Sequence, residues 1–185
     1  MTGLIQKNII PVMMFFFCCI FFFGHVTVAE SATWRKDIVK KINTGASYLG
    51  DRYRTMRLAG VKMLPNMEQR AVNKLKWLIL GKNIRFYFDR IKYDQSGNAL
   101  VYLYCPTTGF SFDSNTKYYK KIFIKDQGVF LNAYLISQGF AAPDENSCRD
   151  PEMLALFESL YDEAKKNKVG AWKYYNRGGK RTKSP

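Results

Sequence analysis

Apolar residues recur at a helical period in three stretches of the chain, which predicts three amphipathic helices. The first is expected near residues 67–80, because Asn66 and Gln69 have the spacing of a capping box and Gly81 follows the last apolar residue. Its buried face is expected to consist of Ala71, Val72, Leu75, Leu78 and Ile79.

The other two helices are expected in the C-terminal half of the chain. One covers residues 130–138 and ends at Gly139, and the other covers residues 152–168. Asp150 is the expected cap of the longer helix, and Pro151 occupies its first turn.

Two stretches between these helices are predicted as strands. Residues 83–89 alternate cleanly between two faces, and in residues 99–105 Val101 and Leu103 face one way. This alternation is typical of half-buried strands, and the turn-forming residues 94–97 would join the two strands into a hairpin. The shared apolar face would consist of Ile84, Phe86, Phe88, Val101 and Leu103.

The remaining segments have weaker patterns. Two or three strands are expected from residue 37 onward, the last at 54–61, and residues 106–127 predict an inserted hairpin that mixes cations with aromatic side chains. A leader at 30–36 and a basic, disordered tail at 173–185 would flank the domain.

Residues 1–29 have the layout of a secretory signal peptide. Lys7 precedes an apolar block at 9–23, and the small residues Thr27 and Ala29 come before the expected cut. The block is shorter than the roughly 20 residues that a membrane-spanning helix needs. We therefore expect an exported protein, periplasmic or extracellular. An uncleaved membrane anchor is the alternative, and a membrane partner would follow only from it.

The formal net charge is +14, and removal of 1–29, which hold Lys7 and no acid, leaves 14 − 1 = +13. Such a surplus favours polyanionic partners such as nucleic acid, an anionic membrane or an acidic cell-wall polymer. The same surplus would also keep an exported protein soluble. The single histidine, His25, lies within the signal segment, so the mature chain lacks the imidazole that His-dependent hydrolases and His-ligated zinc sites require.

Two cysteines, Cys105 and Cys148, remain after removal of the signal segment. In an oxidising compartment we expect a disulfide between them. Two free, buried thiols are the alternative.

Four segments of the chain resemble the staphylococcal nuclease (thermonuclease-like) family in their order and spacing. They are Arg57-Leu58-Ala59-Gly60-Val61 and the residues up to Pro65, then 86–89 with 101–104, then 128–141, and finally 163–172. The resemblance covers about residues 37–172. It implies an α+β, β-rich domain, in which a five-stranded OB-fold barrel carries three helices and, here, an inserted basic hairpin.

The resemblance also places the functional positions of the family on this chain. Arg57 retains the phosphate-binding arginine, and the other four positions are substituted. The two calcium-binding aspartates fall on Asn43 and on Lys62 or Met63, the water-activating glutamate falls on Pro65 or Asn66, and the second phosphate-binding arginine falls on Asn98.

These substitutions predict a catalytically silent protein with no metal or other cofactor. Calcium needs 6–8 oxygen ligands, several of them anionic, and an ammonium group such as that of Lys62 would repel the ion. Glu68 and Asp51 could restore the chemistry if the alignment slips, so an active, calcium-dependent nuclease that cleaves DNA or RNA is the alternative. Otherwise Glu68 is expected to favour the helix N-terminus and Asp51 to lie in a turn.

A silent barrel of this kind is expected to bind a polyanion, with single-stranded nucleic acid as one candidate, or to act as a scaffold for protein partners in the cell envelope. OB-type surfaces bind single strands by combining cations with stacking aromatic side chains. The predicted binding residues are Arg57, Lys62, Tyr87, Tyr118, Tyr119, Lys120 and Lys121. Ordinary half-buried strand packing is the alternative for the tyrosines.

Overall fold

Five strands close into a barrel with the strand order of an OB fold. The computed structural model describes residues 33–110 and 117–175. Its strands are β1 (Arg35–Thr44), β2 (Ser47–Gly50), β3 (Thr55–Leu58), β4 (Val61–Met63), β5 (Asn83–Tyr93), β6 (Ala99–Cys105), β7 (Phe123–Ile124), β8 (Gly128–Phe130) and β9 (Ala141–Pro143). Antiparallel pairs join β3 to β2, β2 to β1, β1 to β5 and β5 to β6, and a parallel pairing of β3 with β6 completes the ring. The predicted five-stranded OB-type barrel is confirmed.

The structure has five helices in its described residues, and three of them lie at the predicted places. The five helices are α1 (Glu68–Ile79), α2 (Tyr119–Ile122), α3 (Leu131–Ser137), α4 (Pro151–Lys166) and α5 (Trp172–Tyr175), with a 3-10 turn at Glu145–Ser147. The three predicted helices correspond to α1, α3 and α4. Asp150 caps α4 as expected, since its carboxylate accepts hydrogen bonds from the backbone N–H groups of Glu152 at 3.0 Å and Met153 at 3.3 Å. None of the helices within the described residues has the length and apolar character of a bilayer-spanning segment.

The predicted capping box of α1 is wrong. Asn66 adopts a left-handed backbone conformation with φ of 63°, and Met67 occupies the cap position without a side-chain hydrogen bond. Asn66 therefore belongs to the turn before the helix, one residue too early to cap it. Gln69 bonds Asn73 along the helix instead, at 2.9 Å.

The inserted segment is only partly a hairpin. Residues 119–122, predicted as part of its second arm, form α2, in which Ile122 is buried. The two residues of β7 are extended and pair with β8, so the observed hairpin turns at residues 125–127. Residues 111–116 lie outside the described part of the chain.

Both ends of the domain differ from the prediction. Arg35 and Lys36, assigned to a leader, are the first residues of β1. The two or three strands expected from residue 37 onward are β1, β2 and β3, and β4 follows them. At the other end the expected disordered tail starts inside α5. The predicted signal segment, 1–29, and residues 176–185 lie outside the described residues.

The predicted disulfide is wrong, because the two thiols lie on opposite sides of β6. The hydroxyl of Tyr102 on this strand is 3.2 Å from the Sγ of Cys148. Cys105 is three residues further along, so the alternation of the strand turns it to the other face, where its Sγ is 3.6 Å from the carbonyl oxygen of Val129. Both cysteines are free and buried.

Asn132, on α3, holds the closing seam of the barrel. Its buried side-chain amide donates hydrogen bonds to the carbonyl oxygens of Ala59 at 2.9 Å and Val101 at 3.1 Å, and its Oδ1 accepts one from the N–H of Leu103 at 3.0 Å. One side chain thus joins the end of β3 to β6 and fixes α3 against both.

Asp37, on β1, performs a similar task at the β2–β3 turn. Its carboxylate is 4% exposed and accepts hydrogen bonds from the N–H groups of Asp51 at 3.1 Å, Arg52 at 3.1 Å and Tyr53 at 3.0 Å. The turn is therefore organised by a buried acid from the neighbouring strand.

Candidate functional site

Arg57 lies at the centre of a polar cleft of about 700 Å³. The cleft is bounded by β3, by the β5–β6 turn and by the segment that follows β9. Two carboxylates hold the guanidinium of Arg57. Its Nη2 lies 3.1 Å from the Oδ2 of Asp144, and its Nη1 lies 3.6 Å from the Oδ2 of Asp94. The arginine that the family resemblance singled out is thus paired within the protein.

The β5–β6 turn fixes the first of these acids. The carboxylate of Asp94 accepts hydrogen bonds from the N–H groups of Ser96 and Asn98, each at 2.9 Å, and from the Nδ2 of Asn98 at 3.0 Å. Partial burial acts to raise the pKa of Asp94, but these hydrogen bonds and the charge of Arg57 outweigh it and leave the pKa lowered. Asp94 is therefore held as a carboxylate.

The second acid belongs to the 3-10 turn after β9. Asp144 Oδ2 accepts a hydrogen bond from the hydroxyl of Ser147 at 2.8 Å, and the backbone N–H of Asp144 donates to the carbonyl oxygen of Gly60 at 3.1 Å. These contacts hold the carboxylate against Arg57.

The charges of the cleft cancel. Its described lining carries three cations and three carboxylates, namely Arg57, Lys62, Arg149, Asp89, Asp94 and Asp144. Three positive and three negative charges sum to zero, so the cleft does not present the cationic surplus with which proteins attract phosphates.

Of the positions that the resemblance marked as substituted, only Lys62 belongs to the described lining of this cleft. Lys62 is exposed on β4 and lines it, and Asn98 is turned onto Asp94. Asn43 is exposed at an irregularity of the β1–β2 pairing, and Pro65 and Asn66 are exposed before α1. Within 33–110 and 117–175, no group of three or more His, Cys, Asp or Glu side chains could hold a metal ion.

The two acids considered as replacements have other partners. The Oε1 of Glu68 accepts a hydrogen bond from the N–H of Gly45 at 2.6 Å, which ties the β1–β2 turn to the start of α1. Asp51 is half-exposed and lies 3.3 Å from the ammonium of Lys40. Neither belongs to the described lining of the Arg57 cleft.

Arg57 and Lys62 line the cleft, but the other predicted binding residues are not part of its described lining. Tyr87 is half-buried on the barrel and forms part of an aromatic cluster with Trp34 and Tyr104. Tyr118 is half-buried, and Tyr119 stacks on Phe123 with ring centroids 5.1 Å apart. Lys120 and Lys121 are exposed on α2.

A second groove, which we call the basic groove, was not predicted. It has a volume of about 710 Å³, and its cationic lining residues are Lys36, Arg85 and Lys125. Lys36 and Arg85 are direct partners across the β1–β5 pairing, and Arg85 is in turn paired with Tyr104 across β5–β6. The side chains of Lys36, Arg85 and Tyr104 therefore form one row across the outer face of the barrel.

Trp34 extends the basic groove beyond the start of β1. It lines an adjoining cleft together with Lys36 and Arg85, and it is 40% exposed. The edges of its ring meet Tyr87 and Tyr104, each with a centroid distance of 5.1 Å. The sequence signal for this groove is the Trp-Arg-Lys run at 34–36, which lies in the segment predicted as a leader. The strand that pairs with this run lies far along the chain.

No protein-family model matches this sequence, and comparison with curated proteins finds no match either.

Proposed function

We propose that the protein is an exported, nuclease-like barrel that is catalytically silent and binds polyanions. The family resemblance supports the nuclease-like origin of the fold. One observation supports the absence of catalysis. Arg57, the retained phosphate-binding position, is paired with Asp94 and Asp144, while Lys62 occupies the place of a calcium-binding acid.

The pairing of Arg57 bears directly on catalysis. A phosphate would have to compete with two fixed carboxylates for the guanidinium, and it would approach them against their negative charge. A transition-state arginine contributes about 10³–10⁵ in rate in phosphoryl transfer only when its charge is available to the phosphate. The general base of the family, worth about 10²–10⁴, has no counterpart at Pro65 or Asn66.

The polyanion-binding half of the proposal is supported by the charge of the chain and by its distribution. The formal net charge is +14, yet the Arg57 cleft is balanced, so the surplus lies elsewhere in the chain. Exposed cations occur on α2, at the basic groove and on the last turn of α4.

The test uses the purified protein with denatured DNA and with RNA, in calcium, magnesium or manganese. We expect no cleavage above background and no rise of the melting temperature with calcium, because an ion that binds the native state must raise it. We expect retention on immobilised heparin that weakens steeply with salt.

Matched variants give this test its controls. Cleavage that is lost in Asp94→Asn, Asp144→Asn, Glu68→Gln or Asp51→Asn would establish the nuclease alternative and overturn the silent reading. Cleavage that is unchanged in all four would identify a contaminating enzyme. Absence of any salt-dependent binding to heparin or nucleic acid would overturn the polyanion-binding half.

A further inference from the structure

The basic groove differs from the Arg57 cleft in the balance of its charges. Its described lining has the cations Lys36, Arg85 and Lys125 and a single acid, Asp126. The turn between β7 and β8 holds Arg85 in place, since the Nη1 of Arg85 donates a hydrogen bond to the backbone carbonyl oxygen of Asp126 at 3.1 Å. The acceptor in this hydrogen bond is a neutral carbonyl oxygen, so the bond does not neutralise the charge of the guanidinium.

Arg35, although it borders the adjoining cleft, does not contribute its charge there. Its Nη1 donates a hydrogen bond to the hydroxyl of Tyr53 at 2.7 Å, and its guanidinium lies 5.2 Å from the ring centre of Phe88. The alternation of β1 therefore sends Arg35 to the other face and leaves Trp34 and Lys36 on the groove side.

Trp34 gives the groove an aromatic surface. Its edge-on contacts with Tyr87 and Tyr104 fix the ring, and 40% of the residue remains exposed. A fixed aromatic ring beside a row of cations is the combination that binds single-stranded nucleic acid, because phosphates follow the cations and bases stack on rings. A polyanion without bases would use the cations only.

We propose that the basic groove is a binding site for single-stranded nucleic acid, in which Lys36, Arg85 and Lys125 contact the phosphates and a base stacks on Trp34. This inference rests on the proposed polyanion-binding function and assigns it to one surface and one ligand class. The site is on the β1–β5–β6 face of the barrel and includes no residue of the Arg57 cleft.

The first experiment measures the affinity of the purified protein for fluorescein-labelled oligo(dT) over a series of salt concentrations. We expect the double variant Lys36→Gln/Arg85→Gln to reduce the slope of log K against log[salt] by about 1.4, since each phosphate contact on a single strand contributes about 0.7. The matched control, Lys76→Gln/Lys166→Gln, removes the same charge from exposed positions on α1 and α4 and should leave the slope nearly unchanged. Melting temperatures show whether each variant is folded.

The second experiment separates bases from phosphates. Trp34→Leu should weaken binding to oligo(dT) about tenfold or more, within the range measured for loss of one stacked base. It should leave the affinity for heparin within about twofold, because heparin has no bases to stack. Trp77→Leu is the matched control, because Trp77 is the more exposed tryptophan at 64% and lies on α1.

The outcomes distinguish this inference from the function on which it rests. Equal effects of the two glutamine pairs would overturn the groove as the site while polyanion binding stands. Loss of oligo(dT) and heparin binding in the Lys36/Arg85 variant, with no effect of Trp34→Leu on either, would overturn the nucleic-acid assignment and leave a general polyanion groove. Failure of the wild-type protein to bind any of the probes would overturn both proposals.

Discussion

Arg57 and Asp144 are separated by 87 residues in the chain, yet the Nη2 of the arginine lies 3.1 Å from the Oδ2 of the aspartate. The contact joins the third strand of the barrel to the 3-10 turn that follows β9. It converts a position expected to receive a phosphate into part of the internal framework of the cleft.

A double-mutant cycle would measure the contribution of this contact. Arg57 is 36% exposed and Asp144 is 11% exposed, so solvent screens the pair, and we expect a coupling free energy of about 1 kcal/mol between Arg57→Met and Asp144→Asn. The measurement is urea unfolding of the wild type, the two single variants and the double variant. Strict additivity of the two effects would show that the contact does not contribute to stability.

Asp94 should contribute to the loss of stability in acid. Its pKa is lowered in the folded protein, so its contribution is complete above its unfolded pKa of about 4 and is lost as the pH falls through the lowered folded value. Asp94→Asn should therefore reduce stability at pH 7 and flatten the decline below pH 4, as followed by melting temperature against pH. A variant that declines as steeply as the wild type would contradict this.

Removal of the carboxylate of Asp37 should be strongly destabilising. Asp37→Ala would leave the N–H groups of Arg52 and Tyr53 without their acceptor, while the N–H of Asp51 keeps the carbonyl oxygen of Ile38, and we expect a loss of about 2–4 kcal/mol in the free energy of unfolding. Asp51→Ala is the control from the same turn, because it removes only a half-exposed ion pair and should cost less than about 1 kcal/mol. Equal effects in urea unfolding would refute the assignment.

Asn132 should tolerate neither loss of its amide nor addition of a charge. Asn132→Ala would remove the side-chain partners of the Ala59 carbonyl oxygen and the Leu103 N–H in the core, while the carbonyl oxygen of Val101 keeps the N–H of Ala59, and we expect a cost of about 3 kcal/mol or more. Asn132→Asp should be worse, because a carboxylate cannot donate to the carbonyl oxygens of Ala59 and Val101. Circular dichroism melts of the two variants would rank them, and an aspartate variant as stable as the wild type would count against these hydrogen bonds.

The two thiols should be present in reduced form and protected by the fold. Burial raises the pKa of Cys105, and burial also raises the pKa of Cys148 despite its hydrogen bond with the hydroxyl of Tyr102, so both are protonated and slow to react with iodoacetamide. Mass spectrometry after alkylation in denaturant, without reductant, should find both residues modified. Modification only after treatment with dithiothreitol would restore the disulfide.

The main helices and the hairpin of β5 and β6 were predictable because their signals are local, whereas the barrel was expected from the family resemblance. Alternation at Ile84, Phe86 and Phe88 and the helical period around Leu75 follow from the faces that must be buried. The capping of α1 was not predictable from spacing, because the left-handed conformation of Asn66 depends on the turn before it. The prediction of the disulfide was wrong because tertiary packing decides which face of β6 each thiol lies against.

The candidate sites were harder to predict, because their residues come from distant parts of the chain. Arg57 was found by resemblance, but Asp94 was read only as part of a turn, and Asp144 had no local signal. Lys36 and Arg85 meet across a strand pairing that the sequence does not reveal, since the run beginning at Trp34 looks like a leader. Sites whose residues meet only when the barrel closes cannot be predicted without knowing which strands pair and in which register.

The seam between β3 and β6 also sets the order in which the molecule can assemble. The hairpin of β2 and β3 and the first helix require only neighbouring residues, whereas Leu58 must wait for Val101 and both must wait for Asn132. Non-local pairings of this kind slow folding, because the entropy of loop closure is lost before the contacts that reward it can form. A ribosome or an export channel that has delivered only β1 to β5 therefore presents an unclosed sheet, with the pairing edge of β3 open to other chains until β6 arrives.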